Sequence, residues 1–312
     1  MYNKVGYGFI HSGEYPKALE QFGKASAIVE KVLGKEHPNT AATYNNIARV
    51  YSSQGKSQKA LELYEKALTI QEKILGKEHP NTAITYSNIA ITYHHQGEYS
   101  KALELYEKAL AICEKVLDKE HPDTATTYNN IANVYARQGE YSKALELYEK
   151  ALAIQEKTLG KEHPYTATTY DNIANVYARQ GEYSKALKLY EKALAIQEKT
   201  LGKEHPNTAT TYNSIANVYG CQDEYSKALE LYEKALAIRE KVFGKEHPDT
   251  AATYNNIANV YGCQDEYSKA LELCEKALAI REKMLGKEHP DTINTYNDFL
   301  LLKRLLKGAG GS

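Results

Sequence analysis

Apolar and small residues recur along this chain in two alternating stripes of helical period. Between Pro122 and Gly139, Tyr128, Ile131, Ala132 and Tyr135 fall at i, i+3, i+4 and i+7, which is one face of a helix. The next segment repeats the pattern with Tyr141, Ala144, Leu145, Tyr148, Ala151, Leu152 and Leu159. Pro122 suits the first position of a helix, where its missing N–H would be unpaired in any case. Gly139 and Gly160 stop the two segments, because glycine enters the left-handed conformation without penalty. The pattern predicts two helices of about 17–20 residues, each roughly 26–30 Å long, joined by a tight turn.

This unit repeats without insertion or deletion. Pro38, Pro80, Pro122, Pro164, Pro206, Pro248 and Pro290 each follow a histidine and stand 42 residues apart. Such a period in a helix-rich chain means stacked helix pairs, each needing neighbours to bury its stripe. Ala132, Ala144 and Ala151 permit close helix approach, and the tyrosines fill the spaces beside them. The expected architecture is all-α, a solenoid of antiparallel helix pairs forming one domain over 1–307. It comprises a truncated leading pair (1–35), six full pairs (36–287) and a closing helix (288–307). Residues 308–312, with sequence GAGGS, are expected to form a flexible tail.

The residues Tyr128, Ile131, Ala132, Tyr135, Gly139, Tyr141, Ala144, Tyr148 and Ala151 resemble, in order, the signature of the tetratricopeptide repeat. The stretched period, with LGKEHP between units, is similar specifically to the repeats of kinesin light chains. The resemblance covers residues 2–300. It implies a right-handed superhelix whose first helices line a concave, peptide-binding groove. It does not extend to the heptad coiled coil by which kinesin light chains dock on their motor. Chaperone-binding members use a lysine-containing clamp, and asparagine or serine stands at that position here, so a chaperone-tail receptor is not implied.

With the core stripe centred on Tyr128 and Tyr135, the opposite face is centred on Asn133 and includes Thr126, Asn129, Asn130, Ala136 and Arg137. Along the array the central position reads Arg49, Ile91, Asn133, Asn175, Asn217, Asn259. One turn earlier it reads Asn45, Ser87, Asn129, Asp171, Asn213, Asn255. Asparagine is a poor interior helix residue, so its recurrence asks for a reason. Its amide offers donors and acceptors to the backbone of an extended peptide; alternatively, one asparagine per unit bonds to the neighbouring helix. The rim position reads Ser53, His95, Arg137, Arg179, Cys221, Cys263. Arg49, Arg137 and Arg179 favour an acidic or carboxylate-bearing peptide, although drift among duplicated units gives the same pattern. The expected peptide-binding residues are Asn45, Arg49, Asn129, Asn133, Arg137, Asn175, Arg179, Asn213, Asn217, Asn255 and Asn259.

Composition narrows the class of function. The 312 residues carry 39 basic and 40 acidic groups, a net charge of −1, which is not the footprint of a general nucleic-acid binder. No apolar run approaches the roughly 20 residues of a membrane span. Four cysteines without paired spacing fit a reducing, cytoplasmic compartment. The repeat histidines lack a second ligand at i+4, and His94 and His95 diverge by about 100° on a helix, so capping or loop packing is expected of the former and metal binding of neither. No phosphate loop, nucleophile motif or catalytic set is visible. The reading is a non-enzymatic interaction scaffold with a protein or peptide partner, no cofactor, no metal and no catalytic residue. The alternative is the sensor or regulatory arm of a larger signalling protein. Leu300, Leu301, Leu302, Leu305 and Leu306 make the last helix unusually apolar, either as an intramolecular cap or as a contact for weak end-to-end self-association.

Overall fold

The computed structural model describes residues 2–11 and 13–309, with side chains described for 5–10 and 13–308. It is 83% helix, and no strand occurs among the described residues. First helices are α1 (Tyr2–His11), α3 (Pro38–Ser53), α5 (Pro80–His95), α7 (Pro122–Gln138), α9 (Pro164–Arg179), α11 (Pro206–Cys221) and α13 (Pro248–Cys263). Second helices are α2 (Tyr15–Leu33), α4 (Ser57–Ile74), α6 (Tyr99–Val116), α8 (Tyr141–Thr158), α10 (Tyr183–Thr200), α12 (Tyr225–Phe243) and α14 (Tyr267–Met284), and α15 (Pro290–Ala309) closes the series. The helices form two compact units, Met1–Val176 and Tyr177–Ser312, with the division falling inside α9. Of the tail expected over 308–312, Gly308 and Ala309 belong to α15, and 310–312 lie outside the described residues.

Each repeat histidine caps the helix that follows it. The Nδ1 of His37 accepts from the backbone N–H of Asn39 at 3.1 Å, and His79, His121, His163, His205, His247 and His289 do the same two residues on. Imidazole thus takes the position usually held by a short oxygen-bearing side chain. A second anchor lies three residues after the histidine. Thr82 Oγ1 donates to the carbonyl of Gly76 at 2.9 Å, and Thr40, Thr124, Thr166, Thr208 and Thr250 repeat the bond. The turn between the helices of a pair closes at Gly139, which is left-handed at φ 80°. There the N–H of Glu140 donates to the carbonyl of Tyr135 at 2.9 Å. Asp223 and Asp265 make the same turn at φ 60° and 61°, a conformation that aspartate tolerates better than most residues.

The core forms where second helices meet the first helices on either side. In Met1–Val176, Ala90, Ala102 and Tyr106 pack with Ile131 and Val134. In Tyr177–Ser312, Ala216, Ala228 and Tyr232 pack with Ile257 and Val260. The valines are the part of this core that the single stripe through Tyr128 and Tyr135 does not contain. A first helix is buried on two sides, so a one-sided amphipathic pattern understates its contacts.

The closing helix is partly a cap. Leu302 is 5% exposed, packed with Ala258, Ala270 and Cys274. It is therefore an intramolecular packing residue and is not available as a contact between molecules. Leu301 and Leu305 remain exposed. Cys113 and Cys274 are buried free thiols, whereas Cys221 and Cys263 are free and exposed.

Candidate functional site

The expected binding residues separate into two rows with different surroundings. Asn45, Asn129, Asn213 and Asn255 lie one turn nearer the helix start and are half-buried or buried. Asn45 Nδ2 donates to Thr85 Oγ1 at 2.7 Å, and Asn129 Nδ2 donates to Thr169 Oγ1 at 2.9 Å, in each case crossing to the next first helix. The threonine passes the interaction on: Thr85 Oγ1 donates to Gln71 Oε1 and Thr169 Oγ1 to Gln155 Oε1, both at 2.6 Å. In Tyr177–Ser312, Asn255 Nδ2 donates to Asp298 on α15 at 2.9 Å. The Oδ1 atoms of Asn45, Asn129 and Asn213 are buried without a hydrogen-bond partner among the described residues.

The other row is open. Arg49, Arg137 and Asn175 are exposed and Asn133 is half-buried within Met1–Val176; Arg179, Asn217 and Asn259 are exposed within Tyr177–Ser312. Second helices orient some of these amides. Tyr148 donates its hydroxyl to Asn133 Oδ1 at 2.6 Å, and Tyr232 donates likewise to Asn217 Oδ1. In both pairs the asparagine oxygen is the acceptor, which leaves the amide N–H groups out of that bond. Cys274 stands where Tyr148 and Tyr232 stand in their pairs, so Asn259 has no equivalent tyrosine. Arg49 lies over the ring of Tyr7 at 5.3 Å. The face calculated around Asn133 is thus only partly free, because Asn129 and Ala136 are buried.

Several residues near this face were not distinguished by sequence spacing. His94 is packed 5.9 Å from the ring of Tyr99 and 5.9 Å from that of His95. Burial, then the neighbouring His95 and Arg137, push its pKa down to about 4. Gln71, Gln155 and Gln197 are buried in otherwise apolar second-helix stripes. Their recurrence at one position was the available signal for the threonine relay. At the corresponding place Arg239 is buried and donates through Nη1 to Thr253 Oγ1 at 2.7 Å and to the carbonyl of Asp249 at 2.9 Å.

The pattern of the family described as tetratricopeptide repeat matches residues 1–73, 54–115, 81–157, 123–199, 165–241, 208–283 and 249–308. The chain belongs to the tetratricopeptide repeat family. A crystal structure of kinesin light chain-type, nearly identical repeats from Podosopora anserina is 34% identical, covers 66% of this chain and 97% of its own, and gives a TM-score of 0.52. BtubC (BKLC) from P. vanneervenii is 27% identical over 75% of this chain and 91% of its own, with a TM-score of 0.56. The Rap conjugation gene regulator of plasmid pLS20, in complex with the Phr* peptide, is 17% identical over 93% of this chain and 75% of its own, with a TM-score of 0.69. That last likeness is one of fold. No curated protein sequence matches the chain. Tetratricopeptide repeats with kinesin-light-chain-like units place it among protein-interaction scaffolds. No described helix is long and apolar enough to cross a membrane.

Proposed function

We propose that the chain is a non-enzymatic scaffold of a cytoplasmic compartment, whose open first-helix face receives an extended, acidic segment of a partner protein. The observation that carries this reading is the separation of the two polar rows. The buried row is used in joining repeats, whereas the other row, which combines the central and rim positions, is exposed except at the half-buried Asn133. Within each unit, asparagine amides repeated along the first helices suit a peptide backbone of any sequence, and Arg137 in one unit and Arg179 in the other each supply a forked donor for a carboxylate. The Rap regulator, whose structure is of its complex with the Phr* peptide, supports the reading at the level of fold.

Selection from a random-peptide library tests it. Acidic peptides should be enriched, and Asn217→Ala with Asn259→Ala should weaken their binding by about tenfold, as expected for the loss of one or two amide hydrogen bonds. Arg137→Glu with Arg179→Glu should invert the charge preference of the selected pool. Peptides held equally well by all variants would overturn the proposal.

A further inference from the structure

Among the described residues no second helix is paired with the last first helix, α15, and the repeats within the same chain show what packs on that face elsewhere. In the pair α13–α14, Ala251 and Tyr254 pack against Ala277 and Ile280, and Ala258 packs against Ala270 and Cys274. The equivalent residues on α15 are Ile293, Tyr296 and Leu300. Tyr254 is 2% exposed and Tyr296 47%; Ala251 is fully buried and Ile293 is 44% exposed. The face that packs a second helix elsewhere is therefore open on α15, and it carries larger apolar side chains.

Two departures from the repeat define what fits there. Every other turn into a second helix uses a residue of positive φ: Gly13, Gly55, Gly97, Gly139, Gly181, Asp223 or Asp265. Lys307 stands at that place, and α15 stays helical through it to Ala309. The covering helix is therefore not delivered by the turn that the other pairs use. The second departure is charge. Lys303, Arg304 and Lys307 replace the tyrosine, small residue and turn residue of the other pairs. At about 100° per residue they fall within the same arc, about 100° wide, as Ile293, Tyr296 and Leu300. The face is apolar over its first half and cationic over its second, and all three cations are exposed.

We propose that this face docks an amphipathic helix of a partner protein, antiparallel to α15, with an acidic first turn followed by an apolar stripe. Antiparallel packing, continued from α14 on α13, sets the start of the incoming helix beside Lys303–Lys307. Acidic residues there meet the cations and also suit the positive end of their own helix dipole. The second helices of this chain are poor occupants, because they carry a lysine in the first turn, as Lys143 does in α8 and Lys227 in α12. That argues for a different protein over a second copy. The site lies apart from the open asparagine row and does not depend on it.

The test uses the full chain and two labelled synthetic helical peptides of 18 residues, followed by fluorescence anisotropy. One has Asp and Glu in its first turn and leucine or alanine at i, i+4, i+7 and i+11. The other has lysine in place of the acids. The acidic peptide should bind about tenfold more tightly than the basic one, and Lys303→Glu, Arg304→Glu and Lys307→Glu together should reverse the preference. Tyr296→Ala should weaken both peptides, and Arg137→Glu with Arg179→Glu should leave both unchanged. Circular dichroism checks that the exposed substitutions keep the helices. Failure of the acidic peptide to bind, equal binding of the two, or sedimentation showing a dimer lost on Tyr296→Ala would each overturn the proposal.

Discussion

Asn129 reaches forward by one repeat to Thr169, its Nδ2 donating to the threonine Oγ1 at 2.9 Å. The same threonine donates to Gln155 Oε1, so one hydroxyl ties three helices: α7, α8 and α9. Asn129→Ala removes one donor and also the amide oxygen that has no partner. The expected cost is about 1 kcal/mol, the net worth of a single hydrogen bond. Urea unfolding should register that loss while peptide capture is unchanged. A loss of capture with unaltered stability would contradict the structural assignment of the buried row.

Arg239 offers an internal comparison, since Gln155 and Gln197 occupy its place in other pairs. Its guanidinium is buried, and burial lowers its pKa, with Asp249 opposing the shift. Its described hydrogen bonds go to hydroxyls and a carbonyl, which is costly company for a buried charge. Arg239→Gln should therefore leave thermal stability unchanged or raise it by about 1 kcal/mol. A fall of several degrees in melting temperature would show that the three bonds outweigh the desolvation.

His94 makes stability depend on acid. Its folded pKa lies near 4 against an ordinary 6.5, chiefly through burial and then through His95 and Arg137. The unfolded chain therefore binds the proton first. The contribution is fully present above pH 6.5 and is lost as the pH falls through 4. Allowing for partial exposure, the loss is about 1–2 kcal/mol. His94→Gln should flatten the stability profile between those values; an unchanged slope would remove His94 as its source.

Neighbouring leucines on α15 should behave oppositely. Leu302 is packed with Ala258, Ala270 and Cys274, so Leu302→Ala should cost about 2–4 kcal/mol. Leu305 is exposed, and Leu305→Ala should change stability by less than about 0.5 kcal/mol. Denaturant midpoints for the two variants distinguish a packed cap from a helix held only by its own backbone.

The period fixed by His37–Pro38 through His289–Pro290 determined most of this fold by itself. Proline at helix starts, glycine at turns and alanine beside tyrosine are local requirements of backbone and side-chain volume, and a linear sequence displays them directly. The observed α7 and α8 accordingly lie within the segments that Pro122, Gly139 and Gly160 delimit. Tertiary structure decided which polar residues remain open. Asn129 and Asn133 are the same residue type one turn apart, yet one bonds to the next repeat and the other accepts from Tyr148 beside the open face. No helical wheel separates them, because a wheel records angle around one axis and not the positions of the next pair. The same limit applies to Leu302 and Leu305. Their burial depends on where α13 and α14 end against α15, a relation between helices that exists only once they have packed.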